Sequence, residues 1–261
     1  RDRSEVVLGD SPPRKKPCVA SPEWNYNVMG VTGLCYFPEF ISKEEEAQLI
    51  SHVDANVWAT SLKRRVQHYG YRYDYKSRSV GENDRLGDLP SWVDFIVERL
   101  QQLGHPSAAR DTLWDGAPDQ LIVNEYTAGQ GISAHVDNER IFGDTIVSLS
   151  LGSPVAMEFL PTPTLLKSNP GISKRSFLLE RRSVLVLSQD ARVLWKHSIP
   201  ARKTDKGVTI LRKERNTITT IKRRKRISLT LRQMLKARTE NTTPEHTDAV
   251  ESNDKATSPR K

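Results

Sequence analysis

The chain has 261 residues, with 40 Lys and Arg against 32 Asp and Glu, a formal net charge of +8 and two cysteines. That length buries the core of one large domain or two small ones, and two cysteines exclude a disulfide framework and fit a reducing compartment. No apolar run is long enough to span a bilayer, and the basic surplus favours a polyanionic partner, nucleic acid first, though a soluble lysine-rich surface gives the same composition.

In chain order, residues 1–21 are rich in Pro, Ser and charge and read as a disordered basic leader. The polar start is unlike a secretory signal, and Arg1 in place of Met fits numbering that begins inside a longer protein. Pro13-Arg14-Lys15-Lys16-Pro17 has the composition of a nuclear address but reads better as a solvated tail. Residues 22–236 read as one folded unit, and 237–261, with almost nothing to bury, as a disordered tail. Within the folded unit, Leu34-Cys35-Tyr36-Phe37 is a short apolar strand. Ser42-Lys43-Glu44-Glu45 is a capping box opening a helix that carries Ala47, Leu49 and Ile50. Residues 91–103 place Trp92, Phe95, Ile96, Arg99 and Leu103 at helical spacing, stopped by Gly104. Strands are then expected over 121–126, 146–151, 155–160, 176–179, 183–187, 218–222 and 227–233. Short strands after two leading helices predict a mainly β fold with flanking helices, a jelly roll.

Polar residues interrupt these strand-like runs at chemically pointed places. His135 and Asp137 have equal parity, so on a strand they share a face, and His197 must come from another strand. Two imidazoles and one carboxylate form the ligand set of an open non-heme Fe(II) site. An H-x-D alone more often caps a turn. His52, His105 and His246 have no carboxylate at chelating spacing and read as packing or surface residues. In the run from Arg226 to Arg232, Ile227, Leu229 and Leu231 form one face, and Arg226, Ser228, Thr230 and Arg232 the other. Six residues separate the two arginine Cα atoms by about 20 Å, a gap two long side chains can close on one small dianion. Lys222-Arg223-Arg224-Lys225, just before, reads as a solvated hairpin or a phosphate-contacting loop. Asn124 and Tyr126 share a face leading to the metal residues, and both can hydrogen-bond a carboxylate. Triad and clamp together point to an iron- and 2-oxoglutarate-dependent oxygenase.

These motifs, Asn124-x-Tyr126, His135-x-Asp137, His197 and Arg226-x5-Arg232, resemble the AlkB family of Fe(II)/2-oxoglutarate dioxygenases. The stretch from Asn124 to Asp137, with Ile146 to Gly152, Arg64 to Tyr71 and Arg181-Arg182-Ser183, is most similar to the tRNA wobble-uridine hydroxylase branch. The resemblance covers about residues 31–234. It implies a double-stranded β-helix, Fe(II) on His135, Asp137 and His197, and 2-oxoglutarate on Arg226 and Arg232 with help from Asn124 and Tyr126. It also implies O2 as co-substrate, succinate and carbon dioxide as products, and hydroxylation of a C–H bond, with loss of formaldehyde when the target is an N-methyl group. No RNA-recognition module or methyltransferase accompanies the domain in this sequence, so an RNA-handling or methyltransferase partner on another chain is expected.

On the substrate side, residues 64–75 interleave Arg, His and Tyr, a composition suited to stacking on exposed bases and holding phosphates. Arg65, His68, Tyr71 and Tyr73 are the candidate substrate residues, and a β ribbon with tyrosines packed on the core is the competing reading. The expected substrate is a modified base in RNA, tRNA favoured, or DNA, in an intracellular setting, cytoplasmic or nuclear, with no membrane. The alternatives are a methylated protein side chain or a binding protein without turnover.

Overall fold

A computed structural model describes residues 26–60, 62–107, 111–211 and 219–235. The expected leader and tail, with Pro13–Pro17, Cys18 and His246, lie outside the described residues. β1 (Leu34–Phe37) is buried throughout. α1 (Lys43–Ala55) starts at the expected capping box: Ser42 accepts from the Glu45 amide, and Glu45 accepts from the Ser42 amide at 2.8 Å. After β2 (Val66–Tyr69), the segment expected as one helix over 91–103 divides into a 3-10 turn, Ser91–Val93, and α2 (Asp94–Gln101). Pro90 is why: its carbonyl takes the Val93 amide at 3.0 Å, a three-residue spacing that tightens the first turn. Gly104 follows at φ 70°, the left-handed stop expected of it.

The remaining strands are β3 (Gln120–Tyr126), β4 (Ile132–His135), β5 (Phe142–Gly152), β6 (Val155–Pro161), β7 (Arg175–Leu179), β8 (Ser183–Leu187), β9 (Trp195–Ile199), β10 (Thr204–Val208), β11 (Thr219–Lys222) and β12 (Arg226–Met234). Two short helices interrupt them, α3 (Pro163–Ser168) and α4 (Gln189–Val193), the latter where the sequence reads as a turn around Gln189. Ile218, expected to open a strand, lies outside the described residues.

A six-stranded sheet runs β1-β8-β5-β12-β3-β2, a four-stranded sheet β4-β9-β6-β7, and β10-β11 form a separate hairpin. From β3 onward the chain passes repeatedly between the two main sheets, which produces the double-stranded β-helix the sequence predicts. Side-chain alternation assigns the two faces of the large sheet. Ile227, Leu229 and Leu231 of β12, Leu121 and Val123 of β3, and Val147, Leu149 and Leu151 of β5 pack with Leu49 and Val53 of α1 and Ile96 and Leu100 of α2. The opposite face turns toward the small sheet, where Phe159, Phe177, Leu179, Trp195 and Ile199 form a second core.

One loop differs from expectation. Arg223 is buried, not solvated or poised for phosphate: its Nε and Nη2 each meet Asp205 at 2.7 Å, and its Nη1 donates to the Pro200 carbonyl at 2.6 Å. Asp205 is itself fully buried and also takes Arg202 at 2.7 Å, so the guanidinium is drawn inward to neutralise it. Among the described residues, no helix is long and apolar enough to cross a membrane.

Candidate active site

A cavity of about 840 Å³ opens between the two sheets. His135, the last residue of β4, pairs directly across the antiparallel ladder with His197 of β9, and their ring centroids are 4.3 Å apart. Directly opposed residues project on the same side of a sheet, so the ladder itself aims both imidazoles into the cavity. Asp137 reaches the cavity by another route than the expected shared strand, because β4 ends at His135. Its loop wraps the buried guanidinium of Arg192 on α4. That group donates to the carbonyls of Asp137 at 2.8 Å, Gly143 at 3.1 Å, Phe142 at 3.3 Å and Asn138 at 3.4 Å. The result brings one ligand-type atom each from His135, Asp137 and His197 within 4.8 Å of one another. His197 Nε2 lies 3.6 Å from Asp137 Oδ2. His135 Nδ1 sits 2.8 Å from the Ser133 carbonyl, which can only accept, so the proton is on Nδ1 and the Nε2 lone pair is left for a metal.

The protonation states suit ligation. Burial pushes His197 down to about 3, against the opposing pull of Asp137. Burial alone would raise Asp137, but the Arg232 guanidinium, then His197 and His135, hold its carboxyl well below the usual carboxylate range. Near neutrality the group is one neutral imidazole beside an anionic carboxylate, the forms that bind a cation.

Both arginines of the expected clamp line the same cavity, asymmetrically. Arg226 is 2% exposed, donates from Nη2 to Ser150 Oγ at 2.9 Å, and has Nε and Nη1 buried without a hydrogen-bond partner. Burial pushes it down to about 10. A buried cation with open donors is costly, and an anion seated on it removes that cost. Arg232 commits Nη2 to Asp137 Oδ1 at 2.6 Å and Nη1 to Gln120 Oε1 at 3.3 Å, leaving only Nε open. Arg232 therefore meets the carboxylate of the His-Asp-His group directly, while Arg226 keeps two donors open to the cavity. Asn124 and Tyr126 line the cavity too, and the Tyr126 ring centre lies 5.5 Å from the Arg226 guanidinium. The donor set thus fits a divalent metal, and the open guanidinium nitrogens fit a carboxylate co-substrate.

The four candidate substrate residues divide. Tyr73 lines the cavity. Arg65 does not: it makes a two-pronged pair with Glu125 at 2.7 and 2.8 Å and lies 4.5 Å over the Trp58 ring. His68 sits behind Tyr73, accepting its amide on Nδ1 at 3.4 Å, and burial pushes it down to about 4. Tyr71 borders a separate groove with Arg85, Asp94 and Glu98. In their place Arg64, Tyr75 and Arg78 line the cavity. Register explains the exchange. Val66 pairs with Asn124, so even positions of the β2 segment share the face of Asn124, and Arg64 points inward where Arg65 points out.

Residues 33–232 match the model of the 2OG-Fe(II) oxygenase superfamily. The alkylated DNA repair protein ALKBH8 homolog of Arabidopsis thaliana is 40% identical over 191 residues, covering 68% of this chain and 54% of the relative. The tRNA (carboxymethyluridine(34)-5-O)-methyltransferase ALKBH8 of Mus musculus is 37% identical over 181 residues, covering 66% of this chain and 25% of the relative. This chain therefore spans about half of the first protein and a quarter of the second. A solved structure, "The structure of OsALKBH1", superposes with a TM-score of 0.55 at 20% identity, covering 77% of this chain and 96% of that one, a likeness of fold.

Proposed function

The chain belongs to the 2OG-Fe(II) oxygenase superfamily, among its AlkB-like members, and from that premise we propose that it hydroxylates or oxidatively demethylates a modified base in RNA, with tRNA the favoured substrate. The observation that carries the reading is the convergence of His135, Asp137 and His197 on one cavity with the open guanidinium of Arg226. In this proposal His135 Nε2, His197 and the Asp137 carboxylate hold Fe(II). Arg226, with Tyr126 beside it, holds the distal carboxylate of 2-oxoglutarate, while Arg232 and Asn124 border its other end. When bound, the iron and 2-oxoglutarate supply O2-dependent oxidation of a C–H bond, with succinate and carbon dioxide as co-products.

The chain's own residues orient and shield that chemistry. Arg232 fixes the Asp137 carboxylate and keeps it anionic, so the ligand does not titrate away near neutrality. Tyr73 and Tyr75 wall the cavity, and Asn138 Nδ2 reaches the Arg78 carbonyl at 3.4 Å, joining this wall to the loop that carries Asp137. A base must leave its stack to enter so enclosed a space, which suits a single-stranded or loop nucleotide. The aromatic wall and the exposed Lys63 and Arg78 at the cavity support nucleic acid as the substrate class. The Mus musculus relative carries tRNA in its name, and the Arabidopsis thaliana relative DNA. The catalytic unit proposed is residues 22–236, working inside the cell, in cytoplasm or nucleus.

The test is succinate and carbon dioxide release from labelled 2-oxoglutarate with Fe(II) and ascorbate, across panels of tRNA, methylated oligonucleotides and methylated peptides. Turnover stimulated by tRNA is expected. Stimulation by peptides alone overturns the nucleic-acid assignment, and no succinate under any condition leaves a binding protein. Asp137→Ala is expected to abolish metal binding and turnover while the far-ultraviolet circular dichroism is retained.

A further inference from the structure

We infer that Arg64 is a third carboxylate-binding guanidinium of the cavity, additional to Arg226 and Arg232, an inference that rests on the oxygenase reading. Arg64 Nε donates to Asn124 Oδ1 at 2.8 Å. Its guanidinium carbon lies 5.4 Å from the Tyr75 ring centre and 5.9 Å from that of Tyr126, the same ring approached by Arg226 at 5.5 Å. One edge bond and two aromatic neighbours fix the plane of the group. A guanidinium held by Nε in this way, with the Tyr75 hydroxyl beside it, can turn its terminal amino groups as the fork that a carboxylate takes in two parallel bonds.

Charge points the same way. Among the described residues lining the cavity, Lys63, Arg64, Arg78, Arg226 and Arg232 are cationic, and Asp137 is the one carboxylate. Asp137 is set against Arg232, and a divalent metal together with Arg226 against a dianionic co-substrate, so the cavity keeps a positive surplus, with Arg64 the guanidinium left inside. Lys63 and Arg78 are exposed, where backbone phosphates can reach them, whereas Arg64 is half-buried between two rings. A planar anion that enters the cavity, a carboxylate, fits that position better than a phosphate that stays at its mouth. Two carboxylates can arrive there: the distal one of 2-oxoglutarate, or one on the side arm of the modified base.

Arg64→Gln and Arg64→Lys in the full chain separate these sources. The first readout is 2-oxoglutarate affinity measured by calorimetry without oxygen, with Mn2+ in place of Fe(II). The second is affinity for stem-loop RNA carrying 5-carboxymethyluridine or its neutral methyl ester. A loss of about tenfold in 2-oxoglutarate affinity in Arg64→Gln, partly restored by Arg64→Lys, identifies the co-substrate as the source. Unchanged 2-oxoglutarate affinity with about a tenfold loss confined to the carboxymethyl RNA identifies the side arm. Wild-type affinity for all three ligands, or an equal loss on both RNAs alone, overturns the inference. Failure of the wild-type chain to bind 2-oxoglutarate instead overturns the oxygenase reading on which it rests.

Discussion

At the scale of single residues, the Arg192 guanidinium acts through the backbone of the Asp137 loop, gathering carbonyls about fifty positions upstream. Arg192→Met should therefore weaken Mn2+ affinity by about 10- to 100-fold with the β fold retained, measured by electron paramagnetic resonance titration of free Mn2+. Nothing local in the sequence marks that role. His135, His197 and the two arginines stand out because such side chains in strand-like runs need a reason to be there, whereas Arg65 and Arg64 look alike in sequence, and only the pairing of Val66 with Asn124 tells which one faces the cavity. His68 makes a pH prediction. Burial holds its folded-state pKa at about 4, below the 6.5 of a free imidazole side chain. The unfolded chain therefore binds the extra proton between those values, so this contribution is intact above pH 6.5 and is lost as pH falls toward 4. His197, lowered to about 3, acts with the same sign. His68→Asn, which keeps an acceptor for the Tyr73 amide, should flatten the dependence of urea midpoint on pH across that window.

At the scale of elements, alternation and capping carried most of the fold. β1 and β8 match their expected bounds, β3, β5, β6, β7 and β12 extend theirs, and α1 begins at its capping box. What local pattern could not supply were the elements held by distant partners. α4 is only five residues long and leans on β1, β5 and β9. β11 lies within the strand expected over 218–222, but its partner β10 was not expected and is tied in by the Asp205–Arg223 pair, two residues eighteen apart that each look solvent-facing alone. The Arg181-Arg182 pair has a comparable structural role. Glu46 of α1, 1% exposed, accepts from the Gly152 amide at 2.8 Å and pairs with Arg181 and, at 3.5 Å, with Arg182. It thereby ties α1 to the end of β5 and the turn before β8. Glu46→Ala leaves the Gly152 amide without its acceptor while Arg181 stays solvated and Arg182 keeps Glu39, and should cost about 1–3 kcal/mol, read from chemical denaturation.

At the scale of the whole molecule, the candidate site draws on both sheets: the histidines belong to the small sheet, the arginines to β12 at the centre of the large one. An unfolded chain has no equivalent of it, so ligands should stabilise the fold by mass action, by about 2.7 kcal/mol at a concentration 100 times the dissociation constant. Mn2+ and 2-oxoglutarate should each raise the melting temperature in calorimetry. Arg226→Met should erase the 2-oxoglutarate increment yet raise the melting temperature of the ligand-free chain, because it removes a buried cation with two open donors. The ladder pairing of His135 with His197 has one more consequence. Two of the three donors stand on paired strands, while the third rides on a loop shaped by Arg192, its carboxylate steadied by Arg232. An ion should therefore enter and leave by way of the carboxylate, with the imidazole pair as a standing socket and the aspartate as its latch.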